Sequence, residues 1–216
     1  MAEIVNTVLL SHPTNSMPMS RAAFYKEQIA AAKAGGPTRS VEVIQALLFT
    51  AQGDLILQSR SREKAHNPGM IDKSLGGHIR FGDTPGFTVM AEALQELLVP
   101  ASVLAAPDEF MRAFGLLKRF LATMALVQYV DGPCSRISKK LIGGENVKIA
   151  NTYHLYLGLF GGPIMPADRE ASGILYYGYP NVLEEINNEP HKFTDDLRFF
   201  LLNYAEKIHE FLKVLR

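Results

Sequence analysis

The sequence predicts an α/β or α+β sandwich built as one unit. Three observations lead there. Short apolar runs, β-branched or aromatic, alternate with Ala-, Lys- and Glu-rich stretches of helical composition. Gly and Pro clusters mark the boundaries between them. The 216 residues are 47% hydrophobic and 20% charged, which excludes a disordered chain and suffices for a core without disulfide or metal staples.

The elements follow in chain order. IVNTVLL (4–10) reads as a strand, and Ser11–Ser20, with two prolines, as a loop. Arg21–Ala34 is rich in helix formers, is preceded by Ser20 and is stopped by Gly35-Gly36-Pro37. VEVIQALLFT from Val41 and LILQSR from Leu55 flank a Gln52-Gly53-Asp54 turn and read as a hairpin. A polar loop follows, then an extended glycine-rich stretch, Ser74–Phe81. Asp83-Thr84-Pro85 supplies a capping side chain and then a first-turn proline for a helix to about Leu98, ended by Pro100. Pro107–Tyr129 reads as a second long helix and 131–146 as a polar inserted loop. NTYHLYLGLF (151–160) and Ser172–Tyr179 read as strands, Val182–Asn187 as a short helix, and Thr194–Leu215 as a long amphipathic helix capped by Thr194.

Charge and cysteine content narrow the function classes. Lys plus Arg and Asp plus Glu both number 22, so net charge offers no whole-chain attraction for nucleic acid or an anionic membrane, and nucleic acid is not an expected partner. A single cysteine, Cys134, excludes an internal disulfide framework and a Cys-cluster metal site. The N-terminal residues lack the basic start and apolar core of a signal peptide, and no apolar run reaches membrane-spanning length. The expectation is a soluble protein of the reducing cytoplasm.

The chemically informative stretch is GGHIRFGDTPGFTVMAEALQELLVP (76–100). A glycine turn feeds a helix in which Glu92 and Glu96, four apart, share a face, with Gln95 between them. Two carboxylates on one helix face beside a glycine turn can bind a hard divalent cation, with water completing the shell. A solvated polar face of an amphipathic helix has the same pattern.

This stretch resembles the Nudix box, Gly-x5-Glu-x7-Arg-Glu-U-x-Glu-Glu-x-Gly-U, where U is a bulky aliphatic residue. The match begins at Gly77. It sets Asp83 at the first Glu, Ala91 at the Arg, Glu92 at the next Glu, Gln95 and Glu96 at the Glu-Glu pair, Leu98 at the Gly and Val99 at the last U. The preceding QALLFTAQGDLILQSRSREKAHNPGMIDKSLGGHIRFGDTP is similar to the strand–turn–strand of the isopentenyl diphosphate isomerase-like branch of that superfamily. GGPIMPADREASGILYYGY and HKFTDDLRFFLLNY resemble later parts of the same branch. The resemblance implies a Nudix fold, an α/β/α sandwich with a mixed sheet. It places the Nudix domain at 39–216 with a helical insertion near 100–148, and leaves 1–38 as an extension packed on it.

The resemblance also implies a site. Mg²⁺ or Mn²⁺ would be held by Glu92 and Glu96, with Gln95 and the Gly77 carbonyl as further ligands. Glu96 would be essential to the chemistry, and Glu170 would be the candidate base, with Glu145 as a second. Read from the residues themselves, Arg60, Arg62, Lys64 and Lys73 crowd the loop before the box, where they could bind substrate phosphates or form a solvated charge run, and His78 is either a further phosphate-side residue or a hydrogen-bonded structural histidine. The implied reaction is hydrolysis of a diphosphate bond in a nucleoside diphosphate derivative or related small molecule. The box departs from the pattern at Ala91, which removes an orienting arginine, at Gln95, which removes a charge, and at Leu98. A Nudix fold retired from catalysis and used as a binding or regulatory module therefore stands beside the hydrolase. The branch's isomerase chemistry needs a cysteine just before the GGH histidine, where this chain has Ser74-Leu75-Gly76. A homodimer is a further expectation from family habit.

Overall fold

The computed structural model of the chain describes residues 3–166 and 171–215, with backbone alone for 13–15. It opens with a hairpin, β1 (Ile4–Leu9) and β2 (His12–Ser20), followed by α1 (Arg21–Ala34). A second hairpin, β3 (Arg39–Phe49) and β4 (Asp54–Arg60), leads through the short β5 (Ile71–Asp72) and β6 (Leu75–His78) to α2 (Pro85–Leu97). Then come β7 (Ala101–Leu104), α3 (Pro107–Leu117) and a long hairpin of β8 (Ala125–Ile142) and β9 (Glu145–Leu159). The chain closes with β10 (Ala171–Gly178), α4 (Tyr179–Asn188), α5 (Asp195–Asn203) and α6 (Ala205–Leu212).

The strands form one mixed sheet with the main order β10-β4-β3-β9-β8-β7. β3 and β9 are parallel, as are β7 and β8; β8 and β9 are antiparallel, and both β1 and β6 run antiparallel to β3. Period-two alternation along β3 divides the core between the sheet's faces. Val41, Val43, Leu47 and Phe49 pack with Phe24 of α1, Phe110 of α3 and the apolar residues of α4–α6. Ile44, Ala46 and Leu48 pack with Val89, Ala93 and Leu97 of α2. Helices thus cover both faces, which gives the expected α/β/α sandwich with a mixed sheet.

Four segments differ from the sequence expectation. Residues 12–20 are a strand, not a loop: among the described residues β2 pairs with β1 alone, and prolines are tolerated on such an edge. The helix expected over Pro107–Tyr129 stops at Leu117, and Ala125 already belongs to β8, whose Ala125, Leu126 and Val127 are fully buried between sheet neighbours. The loop expected at 131–146 is the distal half of the β8–β9 hairpin, turned by Gly143 and Gly144 at φ 57° and 85°. The long C-terminal helix is broken at Tyr204 into α5 and α6.

Candidate active site

α2 is placed by its ends and its apolar face. Thr84 has extended backbone, and its Oγ1 accepts the Phe87 N–H at 3.2 Å, with Pro85 in the first turn. Leu98 terminates the helix in the left-handed region, φ 56° and ψ 31°, at the position where the Nudix pattern has glycine. Val89, Ala93 and Leu97 seat the helix on the sheet, and this turns Glu92 toward β6 and Glu96 toward β4. Glu96 is buried, and one carboxylate oxygen accepts Gln58 Nε2 at 2.9 Å. The same nitrogen donates to the Ser74 carbonyl at 2.7 Å, which ties α2, β4 and the start of β6 together. Glu92 lies flat against Gly77: a Cβ built there would stand 2.1 Å from Glu92 Oε1. Gly76 makes the same allowance for Lys73, whose Cε would be 2.0 Å from a Cβ.

These groups share one cavity of 360 Å³. Glu92, Gln95, Glu96, Gly76, Gly77 and His78 line one side. Arg60 of β4, Glu63, Lys64 and His66 of the loop after it, Asp72 of β5 and Lys73 just beyond form another side. Arg21 and Tyr25 of α1, Arg80, Lys140 of β8 and Asp196 of α5 complete it. Arg62 does not line the cavity; its stem lies beside Gly69. Asp83 and Glu145 also lie off the cavity wall. Glu170, the candidate base, falls outside the described residues.

The cationic wall is braced from within. Arg60 pairs with Asp72 at 2.9 Å and donates to the His66 carbonyl at 2.8 Å, so its guanidinium holds the loop as well as facing the cavity. Burial alone would push the Asp72 carboxyl up, but Lys73 and Arg60, with the Thr194 hydroxyl donating at 2.7 Å, hold it well below the usual carboxylate range. Lys140 is buried and reaches Tyr25: its Nζ donates to the phenol oxygen at 3.3 Å. The Tyr25 hydroxyl also shares a hydrogen bond of 3.1 Å with His78 Nε2. His66 lies against the Tyr25 ring, centroids 4.3 Å apart. Burial, together with Lys140 and Arg21, pushes His66 down to about 4, and burial with Arg21 and Lys140 holds His78 well below the ordinary histidine value. Both imidazoles are neutral at pH 7, and the fixed positive charge of the cavity resides on Arg and Lys.

The donors available to a cation are the carboxylates of Glu92 and Glu96, the amide oxygen of Gln95 and the Gly77 carbonyl. This all-oxygen set suits a hard divalent ion, and Gly77 is cut away where Glu92 stands. Among the described residues no three His, Cys, Asp or Glu side chains are grouped as ligands. The set is therefore poorer in charge than three carboxylates would be.

Sequence reasoning missed Lys140, Tyr25, Arg21 and His66. A signal existed for Lys140: in SRISKKLI the side chains alternate, with Ser138 and Lys140 buried and Ile137 and Lys139 exposed. The inward set is polar, so the pattern did not read as a strand. Cys134 is on β8, accepts a 3.8 Å contact from the Tyr204 hydroxyl and does not line the cavity; burial pushes its thiol up.

The sandwich, the box helix and its glycine turn together define the Nudix fold. DR0079 of Deinococcus radiodurans superposes with a TM-score of 0.62 at 16% identity, covering 93% of this chain and 98% of that one. The MutT protein of Methanosarcina mazei Go1 gives 0.51 at 12% identity, covering 78% and 94%. In sequence the chain is similar to the isopentenyl-diphosphate Delta-isomerase of Serratia proteamaculans, 25% identical over 147 residues. That match spans 68% of this chain and 66%, just under two thirds, of the isomerase. No family model matches the chain.

Proposed function

We propose that this chain is a metal-dependent hydrolase that cleaves the diphosphate bond of a nucleoside diphosphate derivative or a related organic diphosphate. The observation that carries the reading is the single cavity in which Glu92 and Glu96 face a wall of Arg and Lys side chains. One side suits a divalent cation and the other suits phosphate oxygens. Mg²⁺ or Mn²⁺, held by Glu92, Glu96, Gln95 and the Gly77 carbonyl, would neutralise phosphate charge and polarise the bond to be cut. Lys73, Lys64 and Lys140 orient the diphosphate by charge-assisted hydrogen bonds. Gln58 keeps Glu96 fixed in its rotamer. Glu170 remains the proposed base. The isomerase activity in the similar protein's name is not carried over, because the residue before the GGH motif is not cysteine and Cys134 stands off the cavity.

The small number of carboxylates favours one second reading, a module that binds a diphosphate without cleaving it. Calorimetric titration with Mn²⁺ followed by inorganic pyrophosphate tests the site itself. Weak Mn²⁺ binding, tightened about tenfold by Gln95→Glu, is expected from one added anionic ligand. Affinity unchanged by Gln95→Glu and by Glu92→Gln would place any metal elsewhere. Pyrophosphate binding without turnover of any diphosphate would select the module.

A further inference from the structure

A second cavity, of 590 Å³, opens between α3, α6 and the sheet, and no described residue lines both it and the cavity of Glu92 and Glu96. Its volume is that of a small-molecule site. Phe110 and Met111 of α3, Leu157 of β9, and Phe211 and Val214 on and after α6 give it largely apolar walls. Phe110 and Phe211 are buried and their ring centroids lie 5.1 Å apart, so the two helices brace the walls. One residue of the floor is out of keeping. Leu104, Gln128 and Leu157 stand side by side across β7, β8 and β9 and share a face. Both leucines pack into the larger core, whereas Gln128 brings an amide to the cavity. Among the described residues that amide makes no hydrogen bond. The charges at the rim are already matched: Lys207 pairs with Asp131 at 3.1 Å, and Lys213 with Glu210 at 2.5 Å.

We propose that this cavity binds an uncharged, planar heteroaromatic molecule with a lactam edge, and that Gln128 is the residue that recognises that edge. Each part of the description has a cause. Walls that include Phe110 and Phe211 suit a flat ring. A carboxylate or phosphate would have to take Lys207 or Lys213 from its carboxylate partner, so the ligand is neutral. A pure hydrocarbon would cover the Gln128 amide without bonding to it, which desolvation penalises. A primary amide sets an N–H donor beside a carbonyl acceptor, and a lactam presents the same pair in reverse, so both hydrogen bonds form in one plane. An apolar side chain at 128 would continue the leucine row and pack against α3 and α6 without an unpaired polar group. The amide therefore trades stability for recognition. The inference is independent of diphosphate hydrolysis, because the two cavities have no lining residue in common.

Calorimetric titration of the full chain with 2-quinolone, a bicyclic lactam, tests this against N-methyl-2-quinolone, which keeps the ring and the carbonyl but lacks the donor. The wild type should bind 2-quinolone with a Kd of about 10–100 µM, in keeping with so small a ligand, and the N-methyl compound about tenfold more weakly. Gln128→Leu should bind 2-quinolone about tenfold more weakly, no longer distinguish the two compounds, and unfold at a higher urea concentration than the wild type. Ala105→Trp, at an exposed residue of the rim, should block binding with unchanged circular dichroism. Glu92→Gln should bind as the wild type does, and inorganic pyrophosphate should not compete. No binding of 2-quinolone by the wild type at ~1 mM overturns the proposal. So does an affinity unchanged by Gln128→Leu or by Ala105→Trp, or equal affinity of the wild type for the two compounds. Displacement by pyrophosphate would assign the ligand to the cavity of Glu92 and Glu96 and overturn it as well.

Discussion

Lys140 is the cavity residue whose loss should reveal most about the ligand. It is a buried ammonium whose hydrogen bond in the described structure goes to a neutral phenol, and no carboxylate lies within ion-pair distance of it among the described residues. A ligand phosphate would add a directly bonded anion to the more distant charge of Asp196, which lines the same cavity. Lys140→Met should weaken inorganic pyrophosphate binding by about 10- to 100-fold, the worth of one charge-assisted hydrogen bond, as read by calorimetry. The histidines make a different prediction. His66 has its folded-state value lowered from 6.5 to about 4, so between those pH values the unfolded chain binds more protons than the folded one. Stability should therefore fall as pH drops from about 6.5 to about 4. His66→Phe, which keeps an aromatic ring beside Tyr25, should lessen that slope in urea melts without abolishing it, because His78 is shifted in the same direction. Asp72 acts lower: its depressed carboxyl stabilises the fold fully above about pH 4 and loses that contribution below it. Glu92, Glu96 and Gly77 could be read from the sequence because their spacing is local. Tyr25 and Lys140 could not, because they lie 115 residues apart and meet only through the sheet.

The elements differ in how much of them was legible, and the difference has a physical cause. α2 announced itself through Asp83-Thr84-Pro85 and its apolar face, and the structure places Thr84 as cap and Pro85 at its first position. Thr84→Ala should cost about 1 kcal/mol, seen as a lower urea midpoint with an unchanged denaturant slope. The β3–β4 hairpin was equally plain from its apolar runs and central turn. The β8–β9 hairpin was not. Its distal arm buries Ser138, Lys140 and Asn151 and exposes Ile137, so the usual sign of strand alternation is inverted. Ser138 and the Asn151 amide nitrogen join an internal network: Asn151 donates to Ser138 at 2.8 Å and to Tyr153 at 2.9 Å, and Tyr153 donates to Asp196 at 2.5 Å. Composition alone cannot distinguish such a network from a solvated loop. β2 was missed for a related reason, since its prolines are tolerated on an outer edge with which no strand among the described residues pairs.

At the scale of the whole molecule, the sheet separates two jobs. The face under α1 and α4–α6 holds the larger core and delivers Tyr25, Arg21, Lys140 and Asp196 to the cavity. The face under α2 holds the smaller core and delivers Glu92 and Glu96. The cavity lies where the two meet, beside the glycines of β6, so the N-terminal helix is part of the site's wall. Among the described residues no helix is long and apolar enough to cross a membrane. The central claim is that the two acids of α2 serve diphosphate hydrolysis. The most direct test is release of product from a panel of ADP-ribose, dinucleoside polyphosphates, nucleotide sugars, NADH and nucleoside triphosphates, with Mg²⁺ and with Mn²⁺, by the wild type, Glu96→Gln and the surface control Glu206→Gln. Metal-mediated stabilisation is worth several kcal/mol of barrier and each ~1.4 kcal/mol is about tenfold in rate. Turnover of at least one compound should therefore depend on the metal, fall by about 100-fold or more in Glu96→Gln and persist in Glu206→Gln. Turnover that survives Glu96→Gln, or no turnover of any compound by folded wild-type protein, would contradict the account.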